Sequence, residues 1–394
     1  MSIIPVEVPT GAIRYNTDSN KMECWIGTKW MQIAVSSPDF DGGARGLAIG
    51  GNVTPGGVND KIDYITIPSA GNAIDFGDMV VALFASAGMS SRTRAVVSGG
   101  RQTPGNVSDI QYLTMSSTGN TIDWGANPLN SLSYGSGAVS NQTRGVTMGG
   151  NNTSNTKLDD IQYLTIASLG TINDFGNLSE AKGYNASVNS PTRGLCCGGV
   201  QPAQVNTIEF ITIATTGNSQ DFGDLTVHGY RQGGCMSSTR GLIAYGETPA
   251  GDNKKNIDYV TIASTGNAAD FGDLKKAKSS MCSCSSTTRA VFMGGEDPGF
   301  LNSIGYIEIA TKGNAVNFGD VSSRSKRAGN GGSDCVRGLY MGGSNNTPAS
   351  GTGFNDIDSF MFATQGDTVD FGDLHTTAHS FPANGQTGTG HGGL

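Results

Sequence analysis

Runs in which apolar and polar residues alternate recur along the whole chain. Two clear examples are Ile-Asp-Tyr-Ile-Thr-Ile at residues 62–67 and Ile-Asp-Tyr-Val-Thr-Ile at residues 257–262. Alternation with a period of two is typical of a half-buried β-strand. Each run is followed by a turn of the type Ser-Thr-Gly-Asn and by a segment that ends in Asp-Phe-Gly-Asp-Leu or a variant of it. The pattern therefore predicts an all-β protein.

The same group of segments occurs seven times, with a period of about 49 residues. Each unit opens with an arginine and an apolar run that ends in Gly-Gly, except that Glu247 replaces the second glycine of the fifth unit. A polar loop of variable length, the alternating run and the Asp-Phe-Gly-Asp segment follow. A segment of small residues, such as 85–88 or 282–284, comes last. The sequence thus predicts four strands per repeat, with positive φ at the glycine pair.

Four strands of unequal bulk suit the blade of a β-propeller, whose innermost strands have room only for small side chains. The unit resembles the kelch-type blade, in which a small-residue strand precedes the apolar strand with Gly-Gly. No small-residue segment precedes Arg45, whereas a spare one lies at about residues 378–385. We therefore expect a seven-bladed propeller of four-stranded blades over residues 44–394, with the ring closed by the C-terminal strand, which removes exposed sheet edges.

The N-terminal part differs from the repeats. Residues 11–34 contain three short strand-like runs separated by turn formers and predict a small β-meander within residues 1–38, followed by a linker at 39–43. So few residues cannot bury enough apolar surface to be stable alone. We expect Ile13, Tyr15, Trp25 and Trp30 to attach this segment to another protein or to a second copy of the chain, giving a homo-oligomer.

The meander also carries a resemblance. Its sequence, Gly-Ala-Ile-Arg-Tyr-Asn-Thr-Asp-Ser-Asn-Lys-Met-Glu followed by Trp-Ile-Gly-Thr-Lys-Trp, looks like a segment frequent in tail, fibre and other virion proteins of tailed bacteriophages. This resemblance implies a virion protein that is assembled in the host cytoplasm and attached to other virion proteins through residues 1–38.

Charge and composition narrow the classes of partner. The net charge is −8 and the isoelectric point is near 5.0, which argues against a nucleic-acid partner. No apolar run reaches the roughly 18 residues that would predict insertion into a membrane, and the first residues lack the features of a secretory signal. The seven cysteines lie in strand-like segments without a Cys-x-x-Cys spacing, which favours free buried thiols.

Motifs that could carry chemistry are weak. The Asp-Phe-Gly triplet lacks the other motifs of a kinase. A calcium loop supplies more oxygen ligands at alternating positions than the two aspartates of each Asp-Phe-Gly-Asp segment do. We therefore interpret these aspartates as turn caps. His375 and His379 would lie about 13 Å apart on an extended strand, too far apart to share zinc. We therefore expect no metal, no cofactor and no enzymatic activity, although paired carboxylates for glycoside hydrolysis remain an alternative.

The repeated arginines are interpreted as packing residues. We expect each to pair across or within blades with the first acidic residue of the Asp-Phe-Gly-Asp turn, where Asn317 replaces one aspartate. The arginines are Arg45, Arg94, Arg144, Arg193, Arg240, Arg289 and Arg337, and the aspartates are Asp75, Asp123, Asp174, Asp221, Asp270 and Asp370.

The expected function is that of a non-enzymatic phage virion protein, associated with the tail or fibre, that contacts a glycan or protein of the host surface through its loops. The candidate binding loops are 52–60, 102–109, 151–159, 201–206, 248–256, 296–302 and 344–355. The alternatives are a capsid or tail decoration protein without receptor binding and, less favoured, a hydrolase of surface polysaccharide.

Overall fold

The computed structural model describes residues 8–16, 21–32, 45–53, 57–102, 105–125, 134–248, 251–345 and 353–375. The chain divides into two compact units, Met1–Gly43 and Ala44–Leu394. The regular elements of the described residues are all β-strands, as the sequence predicts. Among these residues, no helix is long and apolar enough to cross a membrane.

The first unit contains the predicted meander. Strands β1 (Ile13–Asn16), β2 (Lys21–Trp25) and β3 (Trp30–Gln32) form an antiparallel sheet in the order β1-β2-β3. Trp25 pairs with Trp30, and their ring centroids lie 5.4 Å apart. The Arg14 guanidinium lies 4.2 Å from the centroid of the Trp30 ring and forms an ion pair with Glu23 at 2.8 Å. These contacts hold the three short strands together on one side.

The second unit contains seven larger antiparallel sheets, named sheets 1 to 7 in chain order. Sheet 1 has three described strands, and a two-stranded hairpin of β5 (Asn52–Val53) and β6 (Gly57–Val58) lies within its first loop. The strands of sheet 1 are β4 (Arg45–Ile49), β7 (Lys61–Thr66) and β8 (Ile74–Asp78).

Sheets 2 to 7 have four strands each, hydrogen-bonded in chain order. Sheet 2 consists of β9 (Ala87–Ser90), β10 (Arg94–Gln102), β11 (Gly105–Thr114) and β12 (Ile122–Asp123); sheet 3 of β13 (Gly137–Ser140), β14 (Arg144–Met148), β15 (Asp160–Thr165) and β16 (Asn173–Asn177); sheet 4 of β17 (Ala186–Asn189), β18 (Arg193–Val200), β19 (Gln204–Thr212) and β20 (Gln220–Asp224). Sheet 5 consists of β21 (Gly233–Met236), β22 (Arg240–Ala244), β23 (Asn256–Thr261) and β24 (Ala269–Asp273); sheet 6 of β25 (Cys282–Ser285), β26 (Arg289–Met293), β27 (Ser303–Glu308) and β28 (Val316–Asp320); sheet 7 of β29 (Asn330–Ser333), β30 (Arg337–Met341), β31 (Asp356–Met361) and β32 (Val369–Asp373).

The small-residue strands form a series along one edge of the sheets. Each pairs with the arginine-led strand that follows it, and β9, β13, β17, β21, β25 and β29 contact one another in series. The close approach of neighbouring backbones explains the small side chains: a Cβ on Gly331 would lie 2.7 Å from the Ser283 carbonyl oxygen of the preceding sheet. The small-residue segments thus form the first edge strand of sheets 2 to 7 and lie next to one another.

The hydrophobic core lies between sheets. Each of seven clusters combines residues of two consecutive sheets, and one of them joins Ile67 of sheet 1 to Leu339 and Phe371 of sheet 7. The aromatic residue of every Asp-Phe-Gly segment is buried here. Each sheet therefore buries apolar residues on both faces, and its stability depends on its neighbours.

A backbone contact explains the glycine of the Asp-Phe-Gly segment. The amide of Gly266, in the turn between β23 and β24 of sheet 5, donates to the Phe222 carbonyl of sheet 4 at 2.7 Å. Gly223 has φ of +141°, and a Cβ there would lie 2.6 Å from the Gly266 carbonyl group. The same bond recurs from Gly71 to Phe371, from Gly119 to Phe76, from Gly217 to Phe175, from Gly313 to Phe271 and from Gly366 to Phe318. The segment is thus a contact site for the next sheet.

The described residues make the second unit a repeated, β-propeller-like arrangement of sheets. Sheet 1 has no small-residue strand within residues 45–78. The expectation that the C-terminal segment supplies this strand falls on residues 376–394, which lie outside the described residues.

The close contact between sheets can be tested with two glycines. Both Gly223 (φ +141°) and Gly266 (φ +154°) have a backbone conformation that L-residues rarely adopt, so alanine at either should cost about 1–3 kcal/mol in strain. A Cβ at Gly266 would meet no atom within 4 Å, whereas at Gly223 it would clash with backbone. We expect Gly223→Ala to lower the free energy of unfolding, measured by urea denaturation, by about 1–3 kcal/mol more than Gly266→Ala. Equal losses would contradict the contact.

Candidate functional site

The repeated arginines bond the next sheet. In each case Nη1 donates to a backbone carbonyl directly after the third strand of the following sheet, as from Arg240 to Ile309 at 2.8 Å. The other bonds run from Arg45 to Met115, from Arg94 to Ile166, from Arg144 to Ile213, from Arg193 to Ile262, from Arg289 to Phe362 and from Arg337 to Ile67. The last bond joins sheet 7 to sheet 1.

An aromatic ring supports each guanidinium. Arg240 lies 5.0 Å from the centroid of Tyr259 on its own third strand, and six of the seven arginines have an aromatic partner at this place. Sheet 7 has Ser359 there, and Arg337 lies over Phe371 instead. The charge is therefore held between a ring and a carbonyl dipole.

The expected pairing of these arginines with the aspartates is wrong. The third strand separates the arginine-led strand from the outer strand that carries the aspartate, and the guanidinium instead bonds a carbonyl of the next sheet. The aspartates are exposed, and Asp75, Asp123, Asp174 and Asp370 accept a hydrogen bond from the backbone amide two residues ahead, at 3.0–3.1 Å. Turn capping is thus confirmed for these four, and Asp221 and Asp270 occupy the same place.

A set of buried polar residues was missed by the sequence reasoning. The third strand carries Asp63, Gln111, Gln162, Glu209, Asp258 and Asp358 at one repeated position, and all six are buried. Alternation is typical of a half-buried strand with one covered face, whereas neighbouring sheets cover both faces of each sheet here. The signal available in the sequence was the recurrence of an acid or amide at the centre of every run but one.

These side chains bind the neighbouring sheet. The amide of Ser179 donates to Glu209 at 2.7 Å, and the amide of Thr226 donates to Asp258 at 2.7 Å. His375 donates its amide to Asp63 at 2.9 Å and contacts it through Nδ1 at 3.0 Å. Burial raises the pKa of Asp63 in spite of this partner. His375, which the sequence analysis excluded as a shared zinc ligand with His379, thus lies in a contact between sheets 7 and 1.

Two of these carboxylates meet a buried lysine. Lys182 lies 2.5 Å from Glu209, and Lys326 lies 2.8 Å from Asp358. Burial alone would raise the pKa values of Glu209 and Asp358, but the ammonium groups and hydrogen bonds lower both below the ordinary value. Each pair therefore stabilises the fold at neutral pH, and this contribution is lost as the pH falls through the lowered pKa.

The candidate binding loops lie at one end of the sheets, which we call the loop face. There the residue after each Gly-Gly position forms a bridge with the connection that leads to the small-residue strand. In sheet 5 that residue is Glu247, so the prediction that Glu247 replaces the second glycine is wrong: Gly246 occupies that place, and Tyr245 replaces the first glycine. The bridges in sheets 2 to 7 join Phe84 to Arg101, Tyr134 to Asn151, Gly183 to Val200, Tyr230 to Glu247, Ser279 to Glu296 and Arg327 to Ser344. Loops 151–159, 201–206 and 296–302 are fully described, and the other four only in part.

Aromatic and cationic side chains form a strip across this face. The loop-face strip consists of Arg101, Tyr134, Tyr184, Tyr230 and Arg231. Arg101 lies 4.9 Å from the Tyr134 centroid, the centroids of Tyr134 and Tyr184 are 5.9 Å apart, and those of Tyr184 and Tyr230 are 6.4 Å apart. Arg231 ends the strip with an ion pair to Glu247 at 3.2 Å. The strip spans sheets 2 to 5.

The backbone of the strip is unusual. Tyr184 and Arg231 have φ of +57° and +56°, a left-handed conformation that is costly for side chains of this size. Burial raises the pKa values of Tyr184 and Tyr230, so both hydroxyls are neutral hydrogen-bonding groups at physiological pH. Both rings are half-buried and thus accessible to a ligand. Such a surface can stack on a flat or apolar group and hydrogen-bond around it.

The attachment residues lie in the N-terminal sheet. Ile13 and Tyr15 are 60 % and 54 % exposed, whereas Trp25 and Trp30 are half-buried against each other. No group of three or more metal-ligating residues occurs among the described residues. All seven cysteines are free, and five of them are buried.

The role of the arginines can be tested at Arg240. Arg240→Ala removes a charged hydrogen bond to the next sheet and a contact with Tyr259, so we expect the free energy of unfolding to fall by about 2 kcal/mol. Arg240→Lys keeps the charge and should lose part of this. Lys254→Ala, on a loop, serves as the control and should change stability little in the same urea denaturation. A loss at Arg240 no larger than at Lys254 would contradict the role.

Comparison with known proteins bears on the fold alone. No protein-family model and no curated protein matches the chain. The chain is similar to the solved structure described as "Structure of YjhT", with a TM-score of 0.57 and 9 % sequence identity, over 74 % of this chain and 98 % of that one. At this identity the likeness shows a shared arrangement of β-sheets, consistent with a β-propeller-like fold.

Proposed function

We propose that the seven sheets are the blades of a closed seven-bladed β-propeller and that residues 376–394 supply the missing inner strand of the first blade. Three contacts between sheets 7 and 1 support closure: the shared hydrophobic cluster, the Arg337 bond to Ile67 at 2.8 Å and the Gly71 bond to Phe371 at 2.8 Å. Residues 378–385 carry the small-residue pattern of the inner strands.

Truncation tests closure. Removing residues 376–394 should leave sheet 1 with an open inner edge, because β4 loses its partner, and should cause a lower unfolding temperature and aggregation. Removing only residues 386–394, beyond the small-residue segment, should change neither. Calorimetry and size-exclusion chromatography measure both effects. A chain truncated after His375 that melts and elutes like the full chain would contradict the proposal.

We further propose that the protein is a non-enzymatic virion protein of a tailed phage, associated with the tail or fibre, whose loop face contacts a glycan or protein of the host surface. The virion assignment rests on the resemblance of residues 11–34. Host contact rests on one observation, the loop-face strip of neighbouring tyrosines and arginines on a rigid scaffold, in which the rings of Tyr184 and Tyr230 are half-buried. Tyrosine and arginine are enriched among residues that dominate binding energy.

The N-terminal sheet suits attachment. Three short strands form a sheet too small to bury its own apolar side chains, and Ile13, Tyr15 and Met31 are each at least 45 % exposed. Another virion protein or a second copy of the chain would cover them. The buried carboxylates support a structural rather than catalytic use, because they bond amides of neighbouring sheets.

The experiment uses purified phage particles. The first step is detection of the protein in the particle by mass spectrometry, and its absence would overturn the virion assignment. Particles are then prepared with Tyr184→Ser and Tyr230→Ser together. Serine is accepted at both places, because Ser279 and Ser280 occupy them in sheet 6 and Ser280 has φ of +56°. We expect adsorption to host cells to fall about tenfold at unchanged copy number.

A variant at the other end of the sheets provides the control. Leu169 is 55 % exposed in the turn between β15 and β16, and Leu169→Ser should leave adsorption unchanged. Unchanged adsorption of the double variant would overturn host contact through this face and favour the decoration role.

A further inference from the structure

Sheet 6 lacks the polar side chain that the third strand carries in the other sheets. At the position of Glu209 and Asp358 it has Gly305, which pairs with Phe292 on one side and Asn317 on the other. Asn317 also replaces the first aspartate of the Asp-Phe-Gly-Asp segment. The region between sheets 5 and 6 therefore lacks two acidic groups that occur elsewhere in the repeat.

A buried lysine nevertheless remains. Lys182, Lys278 and Lys326 occupy equivalent places before the small-residue strands of sheets 4, 6 and 7, and each side chain is fully or almost fully buried. Lys182 and Lys326 have carboxylate partners, whereas the Lys278 ammonium donates to the carbonyls of Phe292 at 3.1 Å and Ser303 at 3.2 Å. Burial lowers the pKa of Lys278 to about 7, and the nearby charge of Lys276 adds to this.

A cavity lies next to this lysine. It has a volume of about 150 Å³, and its lining includes Lys275, Lys276, Lys278 and Gly305. Lys275 and Lys276 are exposed, so the cavity leads from the surface to the buried ammonium group. Asp320 is its one acidic lining residue, which leaves an excess of positive charge.

The equivalent contacts in sheet 4 indicate which chemical group could bind in this cavity. In sheet 4 the Glu209 carboxylate accepts from the Ser179 amide at 2.7 Å and pairs with Lys182. The amide of Lys275 occupies the place of the Ser179 amide, directly after the leucine that ends the Asp-Phe-Gly-Asp-Leu segment. The cavity thus combines an ammonium group and an amide in the arrangement that holds a carboxylate elsewhere in the same fold.

We propose that this cavity between sheets 5 and 6 binds a small carboxylate anion, which takes the place of the missing side chain at Gly305 and pairs with Lys278. A planar group with one negative charge matches the partner that Lys182 and Lys326 already have. The site is distinct from the loop-face strip, and the inference does not depend on the proposed function.

Acetate is the probe, and acetamide is its uncharged control. The full-length protein is heated at pH 6 and constant ionic strength, where both Lys278 and acetate carry their charges. Acetate should raise the unfolding temperature in a saturable way, by at least about fivefold more than acetamide at the same concentration, because it binds the folded state alone. Inorganic phosphate is a further arm, and a rise with phosphate but not with acetate would overturn the assignment to carboxylates.

Gly305→Asp supplies the carboxylate from the chain. The fold has room for it, since a Cβ at Gly305 would meet Ala315 Cβ at 3.6 Å and Val316 O at 3.9 Å, both ordinary contacts. This variant should unfold at a higher temperature without acetate and should lose the acetate response. Gly299→Asp adds the same charge at an exposed position of sheet 6 and should keep the response.

Lys278→Met gives a second measurement that does not depend on the fit of the aspartate. Methionine has a side chain of similar length without the buried charge, so the acetate response should disappear. An acetate response that persists in Gly305→Asp or in Lys278→Met would overturn the proposal.

Discussion

Every sheet of the large unit has to cover both of its faces with neighbouring sheets. A four-stranded sheet with apolar side chains on both faces exposes too much apolar surface to be stable in isolation. The buried clusters each combine two consecutive sheets, so the free energy of burial belongs to the junctions between sheets. The repeated features of the sequence follow from this requirement, because each supports a junction: the aromatic fills it, the glycine lets two backbones meet, and the arginine reaches across it.

Polar groups inside these junctions need partners, and the fold supplies them from the adjacent sheet. A buried carboxylate such as Asp258 accepts from the Thr226 amide and from the Tyr245 hydroxyl at 2.6 Å. An unpaired charge in such a place would be destabilising by several kcal/mol. Lys182 and Lys326 also have charged partners, because each forms an ion pair with a buried carboxylate. Among the described residues, the hydrogen-bond partners of the Lys278 ammonium are carbonyl oxygens, so the cavity beside it is a place where a ligand can complete the pattern.

The side chains at the junctions between sheets recur from repeat to repeat, whereas those on the loop face vary. The arginine and the buried aromatic recur in all seven units, because every junction has the same geometry. The bridge positions on the loop face carry phenylalanine, tyrosine, glycine, serine or arginine in different sheets. Packing between sheets determines the junction residues and leaves little room for substitution there. The bridge positions on the loop face are free to vary, and together with Tyr184, which follows the bridge residue Gly183, they place three tyrosines side by side without disturbing the junctions.

The sequence alone determined the strands, the seven repeats and the separate strand formed by each small-residue segment in sheets 2 to 7, because strand alternation and glycine-dependent turns are local properties. It also predicted the N-terminal meander and the turn-capping aspartates. It did not determine the partner of each arginine, since Arg240 contacts Ile309 in another sheet across about 70 residues of chain. Nor did alternation reveal that Glu209 and Asp358 are buried, because a polar residue on a strand faces solvent only if nothing covers that face. Which faces are covered, which carboxylate meets which lysine, and where Gly305 leaves a cavity are set by the packing of one sheet on the next, and the tertiary structure alone decides them.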